Sequence, residues 1–582
     1  MADHQKTIID PNSGFCSQTK TFHSLRPKAP LPSKTTPLSI THYIFSHLQA
    51  SPPPPPSTPA LLDPSTRRHV LYPEFTRRVK TLAAALHSQL NLSYGHTAFV
   101  ISPNSLHLPV LFFSLFSLGV TVSPSNPAST TPEISRQIHL SRPVVAFATS
   151  AAAHNLPKTL PVVLLDSPEF ESMMTSSSTP PELPRVRFPQ SHTAAVLYSS
   201  GTTGAVKGVE LTHRNWISML ASAYAVRNNP TAAPPVMLCA VPFFHVYGFG
   251  VCMRVLGFGE TLAVIPGRFE LRATLRAVEE FRISHVAWAP PVVVAVVKLG
   301  SEIEGYDLSS LQVVASGGAP LAKSVIDKLK KRLPNVQVAQ GFGLTETTGR
   351  VFGTVGPNET RVEGATGKLM SNFEAKIVDP ETGIALPPLM TGELWVRGPF
   401  VMKGYIGDEA ATASTLDTDG WFKTGDLCYI DNEGYLFFVD RIKELIKYKG
   451  YQVAPAELEH LLLSHPDIVD AAVVPYVNFG FCSLVCASLN SVGLFFKFDT
   501  SYMVMVILID RYPDEESGQV PMAFVVRRLA SVVDESQVMD YIAKQVAPYK
   551  KIRRVAFINE VPKSAQGKLL RKELIKLALS KL

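Results

Sequence analysis

The stretch VLYSSGTTGAVKGVELTHRN, Val196 to Asn215, indicates the type of fold. HTAAVLYSS has the composition of a buried strand, and a loop rich in glycine and hydroxyl residues follows it. THRNWISMLASAYAV then has helical spacing, with Thr212 as a candidate N-cap. Further strand-then-loop units occur in SHVAWAPPVVVAVV, LQVVASGGAPL and VQVAQGFGLTE. This alternation predicts an α/β fold with mostly parallel sheets.

The length predicts more than one domain. A chain of 582 residues with 46% hydrophobic and 18% charged residues is globular and too long for a single core. After LFFVDRIKELIKYKG the sequence becomes more basic, so we place a boundary near Asp440. We predict a large N-terminal domain over residues 1–440, with parallel-rich sheets flanked by helices, and a small α+β domain over residues 441–582.

The charge and the cysteines restrict the possible partners. Six scattered cysteines fit neither a zinc site nor a disulfide framework, which predicts reduced thiols. From Tyr541 to Leu582 the chain has eleven Lys and Arg against two Glu. Such a block could bind nucleic acid, acidic lipid or a phosphorylated small molecule, or it could be an ordinary solvated face. Because no nucleic-acid-binding module accompanies it, we expect no nucleic-acid partner.

The C-terminal tripeptide and the apolar runs bear on localisation. Ser580-Lys581-Leu582 matches the signal read by the peroxisomal import receptor, so we expect a peroxisomal protein, with the cytoplasm as second choice. LPVLFFSLFSLGVTV, Leu108 to Val122, is too short for a membrane-spanning helix. It predicts a buried helix that runs into a strand, and no integral membrane span.

The loop YSSGTTGAVKG, Tyr198 to Gly208, could bind phosphate. Glycines let backbone N–H groups approach phosphate oxygens, hydroxyls donate hydrogen bonds, and a lysine adds a positive charge. The alternative is an ordinary turn, and the spacing is not that of a Walker A loop. The candidate residues are Ser199, Ser200, Gly201, Thr202, Thr203, Gly204 and Lys207.

Three more motifs contain candidate nucleotide-binding residues. In QGFGLTETTG, Glu346 could bind a hard cation that bridges phosphates, and Phe342 offers a flat face for a base. The alternative there is a helix start capped by Thr345, with Glu346 favouring the helix dipole. In GWFKTGDL, Asp426 could accept both hydroxyls of a ribose. In VPKSAQGKLLRKEL, Lys568 could stabilise developing negative charge.

These motifs, in this order, resemble the AMP-forming acyl/aryl-CoA synthetases, the adenylating superfamily. The chain looks most like the plant 4-coumarate–CoA ligases and their peroxisomal ligase-like relatives. PFFHVYGFG, SGGAPL, GELWVRGPFVMKGY, GWFKTGDL and KYKGYQVAPAELE contribute to the resemblance, together with the loop above. It extends from about Ile9 to Leu582, except for one stretch after Tyr476.

The resemblance implies a role for each matching residue. Thr202, Thr203 and Lys207 match the loop that holds the ATP phosphates, and Glu346 with Thr345 matches the magnesium site. Lys568 matches the adenylation lysine, and His245 matches a gate beside the substrate carboxylate. Further matches are the adenine surround (Gly318, Gln340, Gly341, Phe342, Gly343), the ribose contacts (Asp426, Arg441), the hinge (Lys443) and the face for the second half-reaction (Lys447, Lys449, Gly450, Gln452).

The implied function is an ATP-dependent carboxylic acid–CoA ligase. An acid, ATP and coenzyme A give acyl-CoA, AMP and pyrophosphate through an acyl-adenylate, with Mg²⁺ as cofactor. The small domain is implied to be mobile and to rotate between the half-reactions. The implied acid pocket is bounded by Tyr247, Gly248, Phe249, Ser316, Gly317, Ala319 and Gly341–Gly343. Hydroxycinnamates, fatty acids and a cyclopentenone jasmonate precursor all remain possible substrates.

One stretch departs from the family pattern. Relatives would run VVPYPDEESGQVP without a break, whereas here Tyr476 and Tyr512 both occupy the place of one tyrosine. We therefore interpret residues 477–512 as a non-family insertion, such as a retained intron, in the small domain. Two alternatives to an active ligase follow from it: a ligase-like protein that the insertion impairs, and a membrane-anchored protein. A span there would put the two halves of one domain on opposite sides of a membrane, which argues against an anchor.

Overall fold

The computed structural model describes residues 9–50, 53–176, 182–199, 206–227, 234–267, 269–319, 321, 323–448, 451–476, 519–529, 531–563 and 568–580. The chain divides into two compact units. The large unit consists of Met1–Thr424 and Cys428–Phe438, and the small unit consists of Gly425–Leu427 and Val439–Leu582. The functions that we assign to the two domains stay predictions.

The strands of the described residues are short, mostly of two to nine residues. In chain order they are β1 (Phe15–Cys16), β2 (Thr21–His23), β3 (Pro59–Asp63), β4 (Arg68–Leu71), β5 (Thr97–Ile101), β6 (Thr121–Ser125), β7 (Val145–Ala148), β8 (Val162–Leu164), β9 (Thr193–Ser199), β10 (Lys207–Thr212), β11 (Val236–Cys239), β12 (Thr261–Val264), β13 (His285–Trp288), β14 (Val313–Gly317), β15 (Gln337–Leu344), β16 (Gly349–Gly353), β17 (Lys368–Leu369), β18 (Glu374–Val378), β19 (Ala385–Leu386), β20 (Gly392–Arg397), β21 (Gly404–Tyr405), β22 (Phe422–Ile430), β23 (Leu436–Arg441), β24 (Ile446–Tyr448), β25 (Tyr451–Val453), β26 (Ile468–Tyr476), β27 (Val520–Arg527) and β28 (Arg554–Phe557).

The helices alternate with these strands. They are α1 (Ile40–Ala50), α2 (Tyr72–Leu90), α3 (His107–Leu118), α4 (Thr131–Ser141), α5 (Ser150–Ala153), α6 (Pro168–Thr175), α7 (His213–Ala225), α8 (Val246–Gly257), α9 (Leu271–Glu280), α10 (Pro290–Lys298), α11 (Lys323–Arg332), α12 (Gly356–Glu359), α13 (Glu409–Thr415), α14 (Pro455–Ser464), α15 (Glu535–Ala543) and α16 (Arg571–Ser580). The predicted α/β class is confirmed.

Two sheets of the large unit are largely parallel, as predicted. One has the order β17-β16-β15-β14-β13-β11-β12-β3-β4, in which β3 and β11 to β15 pair in parallel. The other has the order β21-β10-β9-β6-β5-β7-β8, in which β5 to β9 pair in parallel. A third sheet, β1-β2-β18-β20-β22-β23, is antiparallel at the pairs of β2, β18 and β20.

The predicted strand-then-helix units are confirmed where they flank the glycine-rich loop. HTAAVLYSS contains β9, and α7 begins after Thr212, whose hydroxyl accepts a hydrogen bond from Asn215 N in a capping box. The three later units contain β13, β14 and β15. Because β14 and β15 pair in parallel, their carboxyl ends lie side by side at one edge of the sheet.

The helix α3 is the centre of the large unit's core. All of its residues from Leu108 to Leu118 are buried, and the ring of Phe112 lies 5.0 Å from that of Phe249. The helix ends at Gly119 (φ +73°), where a Cβ atom would lie 2.6 Å from the ring of Phe188. The prediction of a buried helix that runs into a strand is confirmed, since β6 follows. Within the described ranges, no helix is both long and apolar enough to cross a membrane.

The small unit is built on the sheet β26-β27-β28, in which β26 and β27 are antiparallel and β27 and β28 are parallel. Tyr476 at the end of β26 pairs with Val520 at the start of β27. The strand ends on either side of residues 477–518 are therefore direct neighbours in the sheet. The predicted insertion, residues 477–512, lies outside the described residues.

Candidate active site

The ends of the glycine-rich loop are fixed by strand pairing. β9 and β10 are antiparallel, and Ser199 pairs with Lys207. Residues 200–205, which include the predicted Ser200, Gly201, Thr202, Thr203 and Gly204, lie outside the described residues. Of the candidate loop residues, the structure describes Ser199 and Lys207, which are neighbours at the base of the loop.

The carboxylate of Glu346 is bound at the same place. Its Oε1 atom accepts a hydrogen bond from Ser199 Oγ (3.0 Å) and another from the Tyr405 hydroxyl (3.0 Å). Glu346 is buried, with 9% of its surface exposed. Two hydroxyls thus fix one oxygen of a carboxylate at the end of β15 and beside the base of the loop.

Tyr405 is a site residue that the sequence analysis missed. It lies in β21, which pairs with β10, and the Lys207 Nζ atom lies 4.5 Å from the centre of its ring. Burial, and next the charge of Glu346, raises the pKa of Tyr405, so its hydroxyl stays protonated and donates to Glu346. The signal was present as the last residue of the quoted motif GELWVRGPFVMKGY.

The alternative interpretation of QGFGLTETTG, a helix capped by Thr345, is wrong. Thr345–Thr347 form a single 3-10 turn, in which Leu344 N donates to Thr347 Oγ1 at 2.9 Å. Thr348 (φ +52°) and Gly349 (φ +98°) then leave helical geometry, and β16 begins. The tight turn directs Glu346 to Ser199 and Tyr405, and no helix dipole is present for it to favour.

The predicted acid pocket begins at α8. His245 is the N-cap of this helix, and its Nδ1 atom accepts a hydrogen bond from Tyr247 N at 3.3 Å. The Tyr247 hydroxyl donates to the carbonyl oxygen of Ala315 at 2.9 Å, which connects α8 to β14. A Cβ atom at Gly248 would lie 2.2 Å from Pro242 O, so this turn requires glycine.

The other predicted pocket and adenine residues lie at the ends of β14 and β15. Ser316 is buried and pairs with Gln340, and Gly317 pairs with Gly341. Gly318 (φ +90°) is exposed and has open space where a side chain would stand, and Ala319 follows it. These residues form one continuous edge, so the structure brings them together.

Two predicted residues lie in the core. The ring of Phe249 is fully buried and lies 5.0 Å from that of Trp216. Phe342 is 9% exposed, and its ring lies 6.5 Å from that of Phe438. Their neighbours Gly248, Gly341 and Gly343 are also closely packed, because a Cβ atom at any of them would lie within 2.7 Å of another protein atom.

In the small unit, Asp426 and Arg441 form an ion pair. The Arg441 Nε atom lies 3.2 Å from Asp426 Oδ1, and Asp426 is almost fully buried. Burial lowers the pKa of Lys443, the predicted hinge residue. Burial also raises the pKa of Asp440 to about 6, although its oxygens accept hydrogen bonds from Arg441 N (2.7 Å) and Ala456 N (2.9 Å).

Lys568 lies in a segment that an ion-pair cluster fixes to the rest of the small unit. Its neighbour Leu569 forms a bridge with Lys563. Arg571 binds the carboxylate of Glu459 through Nη1 and Nη2, and its Nε donates to Glu444 Oε2 at 2.8 Å. Arg571 Nη1 also donates to Val473 O at 2.7 Å. The cluster joins α16 to α14, to β26 and to the 3-10 turn Ile442–Glu444, which contains the predicted hinge residue Lys443.

The face predicted for the second half-reaction is described in part. Lys447 is exposed and pairs with Gln452 in the β24–β25 hairpin. The backbone N–H of Lys447 donates to Gln519 Oε1 at 3.0 Å. Lys449 and Gly450, which come between β24 and β25 in the sequence, lie outside the described residues, as do Lys581 and Leu582.

The residues around Glu346 fit a magnesium ion that phosphates help to bind. Mg²⁺ keeps several waters and commonly binds one or two carboxylates together with substrate phosphates. In the part of the chain that the structure describes, no group of three or more His, Cys, Asp or Glu could hold a metal. Glu346 is a single carboxylate beside the base of the glycine-rich loop, so it is the candidate magnesium ligand.

Comparisons with known proteins identify the family. A family model described as AMP-binding enzyme matches residues 48–406, and one described as AMP-binding enzyme C-terminal domain matches residues 511–568. The 4-coumarate–CoA ligase-like 9 of Arabidopsis thaliana is 45% identical over 98% of this chain and 97% of its own length. The peroxisomal OPC-8:0-CoA ligase 1 of the same plant is 41% identical over 98% of this chain and 99% of its own.

Solved structures share the fold. The o-succinylbenzoate-CoA synthetase of Bacillus subtilis, in complex with its acyl-adenylate intermediate, has a TM-score of 0.73 at 24% identity and covers 91% of this chain and 97% of that one. An amide bond synthetase of Marinactinospora thermotolerans has a TM-score of 0.76 at 23% identity and covers 92% and 99%. At these identities the likeness concerns the architecture alone.

The fold and the matches define the class, the AMP-binding enzymes. Within it, the chain belongs to the 4-coumarate–CoA ligase-like family of AMP-forming acid–CoA ligases, which use ATP, Mg²⁺ and coenzyme A. The predictions of family and of ligase class are confirmed. The role of each site residue and the identity of the acid stay predictions.

Proposed function

We propose that this chain activates a carboxylic acid as its acyl-adenylate at Glu346 and the adjoining loop, and then transfers the acyl group to coenzyme A. The observation that carries the proposal is the convergence of Ser199, Glu346, Tyr405 and Lys207 at the ends of four strands, β9, β15, β21 and β10. The first step makes a bond from an acid oxygen to the α-phosphorus of ATP and breaks the bond to pyrophosphate.

The charge on the reacting phosphates determines which residues are needed. The loop's hydroxyls and backbone N–H groups would donate to phosphate oxygens, and Lys207 would add a positive charge. When bound, Mg²⁺ supplies Lewis-acid stabilisation of phosphate oxygens, and Glu346 is the residue that would hold it. Ser199 and Tyr405 orient Glu346, so its carboxylate need not reorganise when substrates bind.

The two half-reactions would use different residues of the small unit. Lys568 would stabilise charge at the α-phosphate during adenylation, and Arg571 keeps the segment of Lys568 attached to α14 and β26. Lys447 and the rest of the β24–β25 hairpin would serve the attack of the coenzyme A thiol, which releases AMP. Asp426 and Arg441 would bind the ribose.

The acid falls into one of two classes. A Cβ atom at Gly317 would come no closer than 3.6 Å to Gly341 O, so this glycine leaves volume at the predicted pocket wall, which suits a long or bent acid as well as a hydroxycinnamate. The names of the relatives fall into the same two classes. One is named as a 4-coumarate–CoA ligase-like protein, and another as a peroxisomal ligase of OPC-8:0. The proposed substrate is therefore either a hydroxycinnamate, or a fatty acid or jasmonate-precursor acid.

The first prediction concerns acid-dependent release of AMP. With ATP, Mg²⁺, coenzyme A and a panel of hydroxycinnamic, fatty and cyclopentenone acids, we expect AMP with at least one acid. Lys568→Ala should lower kcat for that acid about 10²–10³-fold, because one charge-stabilising donor is lost from the transition state. A coupled AMP assay measures both.

Lys576→Ala is the matched control, since Lys576 is an exposed lysine in α16, eight residues further on. It should leave kcat within about twofold, as surface substitutions away from a site usually do little. No AMP from any acid, or a Lys568→Ala variant as active as the natural chain, would contradict the proposed function.

We further propose that residues 477–512 are not needed for folding or catalysis. The support is the direct pairing of Tyr476 with Val520, because a short turn can join strand ends that are already neighbours. The match to the C-terminal family model begins at residue 511, at the end of this segment.

The second prediction tests this segment by deleting residues 477–512. We expect the shortened chain to be at least as active and as stable to heat, because a shorter loop lowers the closure cost by about 1–1.5 kcal/mol. An inactive natural chain with an active deletion variant would establish the alternative of an impaired ligase. A folded but inactive deletion variant, beside an active natural chain, would refute the proposal.

The third prediction concerns localisation. We propose that Ser580-Lys581-Leu582 directs the chain to the peroxisome through the import receptor, with support from the relative that is named peroxisomal. An N-terminal fluorescent fusion in plant cells should show peroxisomal puncta, and removal of the last three residues should disperse it. Puncta that persist without the tripeptide would count against the signal.

A further inference from the structure

Arg350 occupies a position that only glycine neighbours allow. It lies in β16 and pairs with Gly343, while Gly341 pairs with Gly353. A Cβ atom at Gly341 would lie 2.7 Å from Arg350 Cδ, and one at Gly353 would lie 2.6 Å from it. The arginine side chain therefore lies flat over two glycines, and any side chain at either position would displace it.

The surface beside Arg350 is made of small residues. Ala287, Ala315 and Ala339 are in register across β13, β14 and β15, and Gly317 and Gly341 are in register beyond them. Residues that are directly paired, or two apart on one strand, point to the same face of a sheet. This face is therefore a floor of alanine and glycine, and the Tyr247 hydroxyl contacts it at Ala315 O.

The Arg350 side chain packs over two glycines and is exposed at the surface. It is accessible to solvent, yet burial among protein atoms lowers its pKa to about 10, and the positive charges of Arg254 and Arg26 lower it further. At neutral pH the guanidinium still carries its charge.

The carboxylates in the neighbourhood are already engaged. Glu359 accepts hydrogen bonds from Arg26 at 2.6 and 2.7 Å, and from Val355 N at 2.8 Å. Glu260 forms ion pairs with Arg227 and Arg254. Within the described ranges, Arg350 has no ion pair and no hydrogen-bonded partner. The guanidinium is therefore available to a ligand, and a ligand oxygen placed there would form a charge-assisted hydrogen bond.

We propose that Arg350 is a specificity-determining residue of the acid site and selects carboxylic acids that carry a second oxygen-bearing group. A second carboxylate would form a two-pronged, charge-assisted pair with the guanidinium, and a ketone oxygen would form a single such bond. An unsubstituted hydrocarbon end would leave the charge without a partner. The inference rests on the proposed function and specifies its substrate class.

The fourth prediction compares three acids of equal chain length: a plain monocarboxylic acid, the same acid with a distal ketone, and an α,ω-dicarboxylic acid. In the natural chain, kcat/KM for acyl-CoA formation should be highest for an oxygenated acid. Arg350→Met, similar in length and uncharged, should lower that value about 10–100-fold. The same variant should leave the plain acid within about threefold or raise its kcat/KM.

Two further variants make the result specific. Arg350→Lys keeps the charge but loses the planar fork, so it should retain part of the preference for an oxygenated acid. Arg361→Met removes an exposed arginine of the large unit and should change no ratio between acids. Whichever oxygenated acid depends more on Arg350 identifies the second group as carboxylate or ketone.

Several outcomes would overturn the inference. An equal loss for all three acids would mean that Arg350 acts on ATP or on the reacting carboxyl group. Unchanged ratios in Arg350→Met would mean that it contacts no substrate. If Arg350→Met fails to fold, unchanged ratios in Arg350→Lys would have the same meaning. The proposed function is tested separately, because it requires that the natural chain release AMP with at least one acid.

Discussion

The large unit's site depends on one buried carboxylate. Glu346 connects three segments that are far apart in sequence, because its Oε1 atom binds a hydroxyl from β9 and another from β21. Inside protein these hydrogen bonds are stronger than in water, and removing either donor would leave a buried charge poorly compensated. The pairing of β10 with β21 and with β9 then holds Lys207 beside the same group. The loop's two ends and the carboxylate are thereby held together before any substrate binds.

Much of this could be predicted from local sequence. The strand HTAAVLYSS, the Thr212 cap and the apolar helix LPVLFFSLFSL each depend on residues that are close in the chain, so periodicity and capping were sufficient. The motif TETTG was harder, because glutamate after threonine also suits a helix start. The choice was decided by the left-handed Thr348 and by Gly349, whose conformations no helix pattern encodes.

What could not be predicted depends on long-range pairing. Tyr405 meets Glu346 only because β21 adds to the edge of β10, and nothing near Tyr405 in the sequence signals that register. In the sequence, Arg350 has the features of an ordinary surface residue. The space for its side chain comes from Gly341 and Gly353, which become neighbours only in the β15–β16 pair. In the small unit, likewise, the sequence shows Arg571 only as one of many basic residues. Its contacts with Glu459 and Glu444 are formed by the fold.

The central claim is that the group formed by Ser199, Glu346 and Tyr405 supports attack of an acid on ATP. The most direct measurement is acid-dependent exchange of labelled pyrophosphate into ATP without coenzyme A, in the natural chain and in Glu346→Gln. The account predicts exchange with the preferred acid, and a loss of about 10²-fold or more in the variant that higher Mg²⁺ partly restores. Exchange that needs no acid, or a Glu346→Gln variant that exchanges as fast as the natural chain, would contradict it.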